Sequence, residues 1–428
     1  VEHWIGIVGV VVLMLIAVAL SEDRRRFPLR IAVAGTLLQL AMALLLLKAP
    51  GVATVFDVLA RGVNGVIIQA DAGIAFVFGD KLAQAQEPLG FVFAVKVLPV
   101  IIFFASLMGV LYHLGVMQRI VSGLAWLLRG TMGVTGSEAL CMAANVFLGQ
   151  TEAPLCIKPY LATMTRSQMA TVMTGGYATI AGSVMAAYVN MLGGQDEALR
   201  LLYIKHLLTA SLMAAPAAFV MSRIIVPERE TPVDENARAA DAVPAANIFD
   251  AAAAGATDGL KLAANVAAML IAFTALLSLV NWPLRELEAW PPVREWLGTT
   301  GMGSLTLQGL LGWILTPLTW LMGVPWDDAA SAGRLQGERL IVNEFLAYST
   351  LGQMMHDPAG PRISERGAQL MTYALCGFAN FASIGIQIGG LTPLAPNQRR
   401  TIVTLAFKTM LAGALAGWMT AAVASLVI

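Results

Sequence analysis

Gly149-Gln150-Thr151-Glu152-Ala153-Pro154 breaks an apolar stretch with an amide, a hydroxyl and a carboxylate, and 344 − 152 = 192 residues further on Val342-Asn343-Glu344-Phe345 breaks another. Each glutamate belongs to a longer pattern. Met132-Gly133-Val134 and Gly176-Tyr177-Ala178-Thr179-Ile180-Ala181 flank the first, and Met322-Gly323-Val324 and Gly377-Phe378-Ala379-Asn380-Phe381-Ala382 flank the second. The other offsets are 324 − 134 = 190 and 377 − 176 = 201, so one nine-residue insertion explains most of the drift. This reads as an internal duplication in which each copy offers one carboxylate.

The setting of those carboxylates is a membrane. With 57% hydrophobic and 13% charged residues and a mean hydropathy of +0.72, the 428-residue chain is too apolar for a soluble protein and reads as all-α and polytopic. An ionisable side chain at bilayer depth costs about 2.5–3.5 kcal/mol even on insertion scales, so two retained glutamates mark function. The 27 basic and 27 acidic residues leave no basic surface for nucleic acid. Cys141, Cys156 and Cys376 lack any C-x-x-C partner and read as packing residues. His3, His113, His206 and His356 are scattered, and no Walker lysine motif is present, which argues against a zinc centre or an ATP-driven pump. The basic cluster Arg24-Arg25-Arg26 follows the first apolar run, the reverse of a secretory signal, so that run is expected to stay as a helix.

Apolar runs at 4–20, 29–48, 91–111, 168–191, 199–225, 259–281, 368–390 and 401–428 predict eight spans. Arginines after the first, fifth and seventh place those ends inside, so both termini are expected on the outer, periplasmic side. The segment 52–85 is expected to lie along the outer interface, with a ninth span as the alternative, and 116–130 and 305–323 are expected to be interfacial helices anchored by Trp126, Trp313 and Trp320. Stretches 134–164 and 326–356 each hold two short arms around a polar break and predict re-entrant hairpins. Three spans separate Glu152 from Glu344, so the second copy is inverted and the hairpin breaks approach each other near the midplane. The expected organisation is a scaffold of helices 1–3 with an interfacial helix over 1–115, a first repeat over 116–225, a cytoplasmic linker over 226–257, a scaffold span and outer segment over 258–304 and a second repeat over 305–428. The repeats are expected to form the transport domain.

An inverted repeat with interrupted helices points to a secondary transporter whose site lies between the copies. Gln150, Thr151 and Glu152 offer donors and acceptors suited to the edge of a heterocyclic base, with Pro154 placed to start the second arm. Glu344 can accept from two vicinal hydroxyls while Asn380 supplies a donor and an acceptor, which suits a ribose. Phe378 and Phe381 can press on the base or simply pack, and Ser383 shares a helical face with Asn380. Asn145 on the first arm and Thr179, after Gly175-Gly176 where the glycines allow an unwound turn, can form an oxygen cage for a hard monovalent cation. Carboxylates at both breaks disfavour anionic substrates. A carrier of another neutral polar solute, or an intramembrane enzyme using Glu152 and Glu344 as acid and base, remains open at this point.

The motifs Gly149–Leu155 (GQTEAPL), Asn343–Tyr348 (NEFLAY) and Gly377–Ile386 (GFANFASIGI), in this order, resemble those of the concentrative nucleoside transporters in their bacterial eight-span form, over nearly the whole chain. The resemblance implies sodium- or proton-coupled uptake of nucleosides such as uridine or adenosine through the bacterial inner membrane. It also implies a homotrimer in which a transport domain holding the hairpins moves against a scaffold, an elevator. It assigns Gln150, Thr151, Glu152 and Val184, with Glu344, Phe378, Asn380 and Ser383, to the substrate. Asn145, Thr179 and the carbonyls of Leu148 and Ile180 are assigned to sodium, with Thr179 standing where the family is expected to have Ser.

Overall fold

Helices begin here where the sequence supplies a cap. Thr165 and Gln168 form a reciprocal capping box, Oγ1 of Thr165 accepting from Gln168 N at 3.1 Å and Oε1 of Gln168 accepting from Thr165 N at 2.9 Å, and the helix Arg166–Ala178 starts there. At the first arm of the first hairpin, Gly136–Asn145, Glu138 Oε2 reaches back to accept from Thr135 N at 3.4 Å and from Thr135 Oγ1 at 2.7 Å. The computed structural model describes residues 2–83, 92–194, 196–232, 245–300, 305–356 and 362–428, and those residues contain helices and no strand.

Among the described residues six helices are long and apolar enough to cross a bilayer, namely Leu29–Leu47, Phe93–His113, Arg166–Gly193, Glu197–Ile225, Ile248–Glu288 and Pro396–Ala424. The first expected span is an 18-residue helix, Glu2–Ala19. The seventh is two helices, Glu365–Ala374 and Phe381–Leu391, and the fourth is likewise split into Arg166–Ala178 and Gly182–Gly193. Hydropathy windows pass over such breaks because their residues are small or apolar, although their backbone groups need partners that only surrounding protein can give. The first hairpin returns through a short 3-10 turn, Ala153–Ile157, with Pro154 in its first turn; the second pairs Trp326–Ile341 with Glu344–His356.

Helices Arg166–Gly193 and Glu197–Ile225 are almost wholly enclosed, whereas Ile248–Glu288 exposes most of its surface. That long helix packs chiefly on Phe93–His113, and Oγ of Ser106 donates to Ala252 O at 2.9 Å between them. It begins at Ile248, capped by Asn247 accepting from Phe249 N and Asp250 N, so the expected linker boundary at 257 falls inside a helix. The alanine-rich run 251–254 favours helix strongly enough to extend the span to the cap. Residues 233–244 of that linker lie outside the described residues.

The first two helices depart from the expected scaffold. Glu2–Ala19 packs on Arg399–Ala424, and Leu29–Leu47 packs on Glu197–Ile225. Gln39, fully buried, donates to Met213 O at 2.9 Å and Thr420 Oγ1 at 3.1 Å, and Glu22 in the intervening loop pairs with Arg166 at 2.8 Å and Lys408 at 2.9 Å. These contacts fasten both helices to the enclosed group. Pro50–Phe78 is one 29-residue helix that buries Ala60, Asn64, Ile67, Ala70 and Ile74 on a single face and exposes Val55, Val58, Ile68 and Phe76 on the other. The expected interfacial segments are the helices Val116–Met132 and Leu307–Leu321, with Trp126 and Trp313 exposed.

Candidate substrate and ion site

Two asparagines end the breaks of the second half. Asn343 Oδ1 accepts from Leu346 N at 3.0 Å and starts the arm Glu344–His356; Asn380 Oδ1 accepts from Ser383 N at 2.9 Å and starts Phe381–Leu391. Gly377, at φ +138°, lies between helix and cap where its backbone touches the other half: a Cβ there would be 2.5 Å from Tyr177 O. The break of one half is therefore packed on the break of the other.

At this junction Glu344 is 2% exposed. Its Oε1 accepts from Tyr188 Oη at 3.1 Å and its Oε2 from Asn380 Nδ2 at 3.2 Å. Tyr188 is locked in turn, stacked on Tyr348 with centroids 4.3 Å apart and edge-on to Phe345 at 5.0 Å. Asn380 thus uses one lone pair of its oxygen on its own helix cap and one N–H on Glu344, which orients the carboxylate and leaves one acceptor site and one N–H. Val184 and Ser383 are buried nearby in sequence on the helices that carry Tyr188 and Asn380, Phe378 is half-buried against the core, and Phe381 is exposed and stacks on Phe407 at 6.4 Å, away from Glu344.

The first hairpin break meets the far end of the same helix. Thr151 touches the backbone at Gly390, and a rise of about 1.5 Å per residue puts Gly390 roughly 10 Å from Ser383. Gln150 is buried with Oε1 unpartnered, Thr151 donates to Glu152 at 3.0 Å, and Glu152 is exposed. The glycine pair Gly175-Gly176 is still helical and the unwound turn comes at 179–181. The glycines serve close approach: a Cβ on Gly175 would lie 2.8 Å from Met142 Sδ, and one on Gly176 would lie 2.6 Å from Gln387 Nε2 and 2.8 Å from Gln150 Cβ.

The cation cage can be tested on its oxygens. Asn145 is fully buried with Oδ1 unpartnered, and Thr179 gives its proton to Gly175 O at 2.8 Å, leaving its oxygen free to coordinate. Gly182 N donates to Phe147 O at 2.8 Å, which holds the hairpin turn against the unwound 179–181, and among the described residues no hydrogen bond lands on the Leu148 or Ile180 carbonyl. Neutral oxygens of this kind suit a monovalent ion. No cluster of three His, Cys, Asp or Glu residues that could hold a metal occurs among the described residues.

Three residues at this junction escaped the sequence reading: Tyr188, Arg339 and Gln387. Tyr188 stands four residues after Val184 and Gln387 four after Ser383, each one turn along the same helix face, which was a readable signal. Gln387 is buried, donates to Met173 O at 2.8 Å and leaves Oε1 unpartnered beside Gln150.

Apolar helices around two polar hairpins and two broken helices define a multi-pass membrane transporter. Residues 8–81, 94–195 and 206–425 match, in turn, the families described as Na+ dependent nucleoside transporter N-terminus, nucleoside recognition (Gate) and Na+ dependent nucleoside transporter C-terminus. The chain belongs to the sodium-dependent nucleoside transporter family, the concentrative nucleoside transporters, and is not an enzyme. An uncharacterized transporter of Haemophilus influenzae is 41% identical over 99% of this chain and 97% of its own length. Sodium/nucleoside cotransporter 1 of Rattus norvegicus is 39% identical over 99% of this chain and 64% of its own length. Solved structures of CNTnw superpose closely: an inward-facing substrate-bound state gives a TM-score of 0.88 at 37% identity over 100% of this chain and 98% of that one. An outward-facing variant gives 0.89 at 37% identity over 100% and 97%.

Proposed function

We propose that this protein imports nucleosides across the bacterial inner membrane in symport with sodium, reading the ribose with Glu344 and the base with the first hairpin. The observation that carries the ribose reading is the state of Glu344. Each carboxylate oxygen accepts one protein donor, Tyr188 or Asn380, and a carboxylate has roughly two acceptor sites per oxygen, so one site on each is left for a vicinal diol. Gln150, Thr151 and Glu152 face the opposite end of Phe381–Leu391, a separation that fits a base plus a sugar. Asn145, Thr179 and the Leu148 and Ile180 carbonyls would hold the sodium beside them.

The same reading gives the motion. The enclosed helices, both hairpins and the first two helices form the moving body, and Phe93–His113 with Ile248–Glu288 form the fixed one. The apolar face of the latter, with Leu260, Ile271, Leu276, Leu279 and Trp282 exposed, is where contacts of a homotrimer would fall, and both termini would be periplasmic.

Glu344→Gln should weaken uridine binding about a hundredfold, since a hydrogen bond to a charged group contributes about 2–3 kcal/mol, while the protein stays folded. Calorimetric titration reads this directly. 2′-Deoxyuridine and 3′-deoxyuridine should each bind more weakly than uridine. Unchanged uridine affinity in Glu344→Gln would remove the carboxylate from the sugar site.

A further inference from the structure

The largest fully buried side chain among the described residues is a cation. Arg339, 0% exposed, lies in the last turn of Trp326–Ile341, five residues before Glu344. Its Nη1 donates to Ala374 O at 2.6 Å, the carbonyl that ends the helix Glu365–Ala374 at the second break, and more weakly to Gln336 Oε1 at 3.5 Å, which Trp418 holds at 2.7 Å. Nε and Nη2 have no partner. The other buried arginine differs: Arg223 is in direct ion pairs with Glu138 and with Glu228, the latter at 2.9 Å. Arg339 has no carboxylate within 4.0 Å among the described residues, because the adjacent Glu338 turns to Arg334 at 3.2 Å. A buried guanidinium without a counter-charge is costly, so some anion must answer it.

We propose that Arg339 is the fixed counter-charge of Glu344, a positioning residue that keeps the ribose-reading carboxylate ionised in a dry site. Arg339 and Glu344 stand five residues apart on either side of the second hairpin break, both buried, where the low dielectric lets opposite charges act beyond contact distance. Every other ionisable group facing Glu344 is neutral in its ordinary state: Tyr188 from Gly182–Gly193, Tyr348 from its own helix and Cys376 from the second break. Among the described residues Arg339 alone supplies positive charge there. The first hairpin shows why only one glutamate is served. The position five residues before Glu152 is Phe147, at the same offset of 339 − 147 = 192, and Glu152 is exposed and so needs no protein cation. A single guanidinium also joins hairpin to break through Ala374, so the carboxylate and the unwound segment move together.

The inference rests on the ribose reading of Glu344, and one experiment separates the two. Uridine affinity is measured at pH 6 and pH 8.5 in saturating sodium for wild type, Arg339→Lys, Arg339→Gln, Glu344→Gln and the double variant, with thermal midpoints for each. Wild type and Arg339→Lys should bind alike at both pH values. Arg339→Gln keeps a donor for Ala374 but loses the charge; a nearby cation shifts a carboxyl by about one pKa unit or more, so binding should be about tenfold weaker at pH 6 than at pH 8.5. The double variant should be more stable than Arg339→Gln, because it no longer buries an uncompensated carboxylate. Equal weakening of Arg339→Gln at both pH values, or a double variant no more stable than Arg339→Gln, overturns the proposal. Normal uridine binding by Glu344→Gln overturns the ribose reading instead, whatever Arg339 does.

Discussion

Asn145 combines full burial, an amide whose oxygen has no partner and a place beside an unwound turn. Such an oxygen is expensive to leave bare, and a coordinated sodium ion would answer it. If it does, sodium must raise nucleoside affinity and nucleoside must raise sodium affinity by the same factor. Asn145→Ala should flatten the dependence of uridine binding on sodium, titrated against choline at constant ionic strength, while leaving Gln150 and Glu344 to bind the nucleoside weakly. A variant that keeps the full sodium dependence would place the ion elsewhere. Asn145, Gln150, Glu344 and Asn380 were legible in the sequence because each is polar within an apolar run. Arg339 was not, because what it does depends on Ala374, 35 residues away in the chain, and Tyr188, although its place one turn from Val184 was readable, has its role set by Glu344, 156 residues away.

The hairpins were readable at the scale of elements, since a polar interruption with proline leaves a local signature, but the break of the seventh span and the way elements sort into bodies were not. The first two helices look in sequence like any peripheral spans; their attachment comes from Gln39 and Glu22, whose partners lie far along the chain. Glu22 allows a direct check. Its hydrogen bond with Arg166, and secondarily that with Lys408, hold the carboxyl down at about 2 from an ordinary 4.5, against partial burial that pushes it up. A carboxyl depressed in the folded state stabilises the protein above its unfolded value and loses that contribution as pH falls through the folded one. The thermal midpoint of wild type should therefore exceed that of Glu22→Gln at pH 6, and the gap should shrink below about pH 4.5 and close near pH 2. A gap independent of pH would mean that the loop is held by packing and not by this charge. Salt should narrow the gap as well, because the pair is partly exposed.

For the whole molecule, two packed groups of helices and a site carried entirely by one of them leave few ways to alternate access. Every group proposed to touch substrate or ion belongs to the hairpins or the broken helices, and their polar backbone cannot be drawn individually through lipid. In the proposed elevator they would travel as one body past Phe93–His113 and Ile248–Glu288, and the interface where Phe93 meets Phe345 edge-on at 6.4 Å would be the sliding surface. Cysteines at the exposed Ala254 on the fixed helix and Arg400 at the start of the last helix, in a background without Cys141, Cys156 and Cys376, allow spin labels to measure the travel. Pulsed electron resonance should give two or more distance populations that exchange weight when sodium and uridine are added together. A pair at Arg24 and Arg400, both within the proposed moving body, should give one distance in every condition. A single unshifted Ala254–Arg400 distance during sustained transport would exclude an elevator and confine the motion to the hairpin tips.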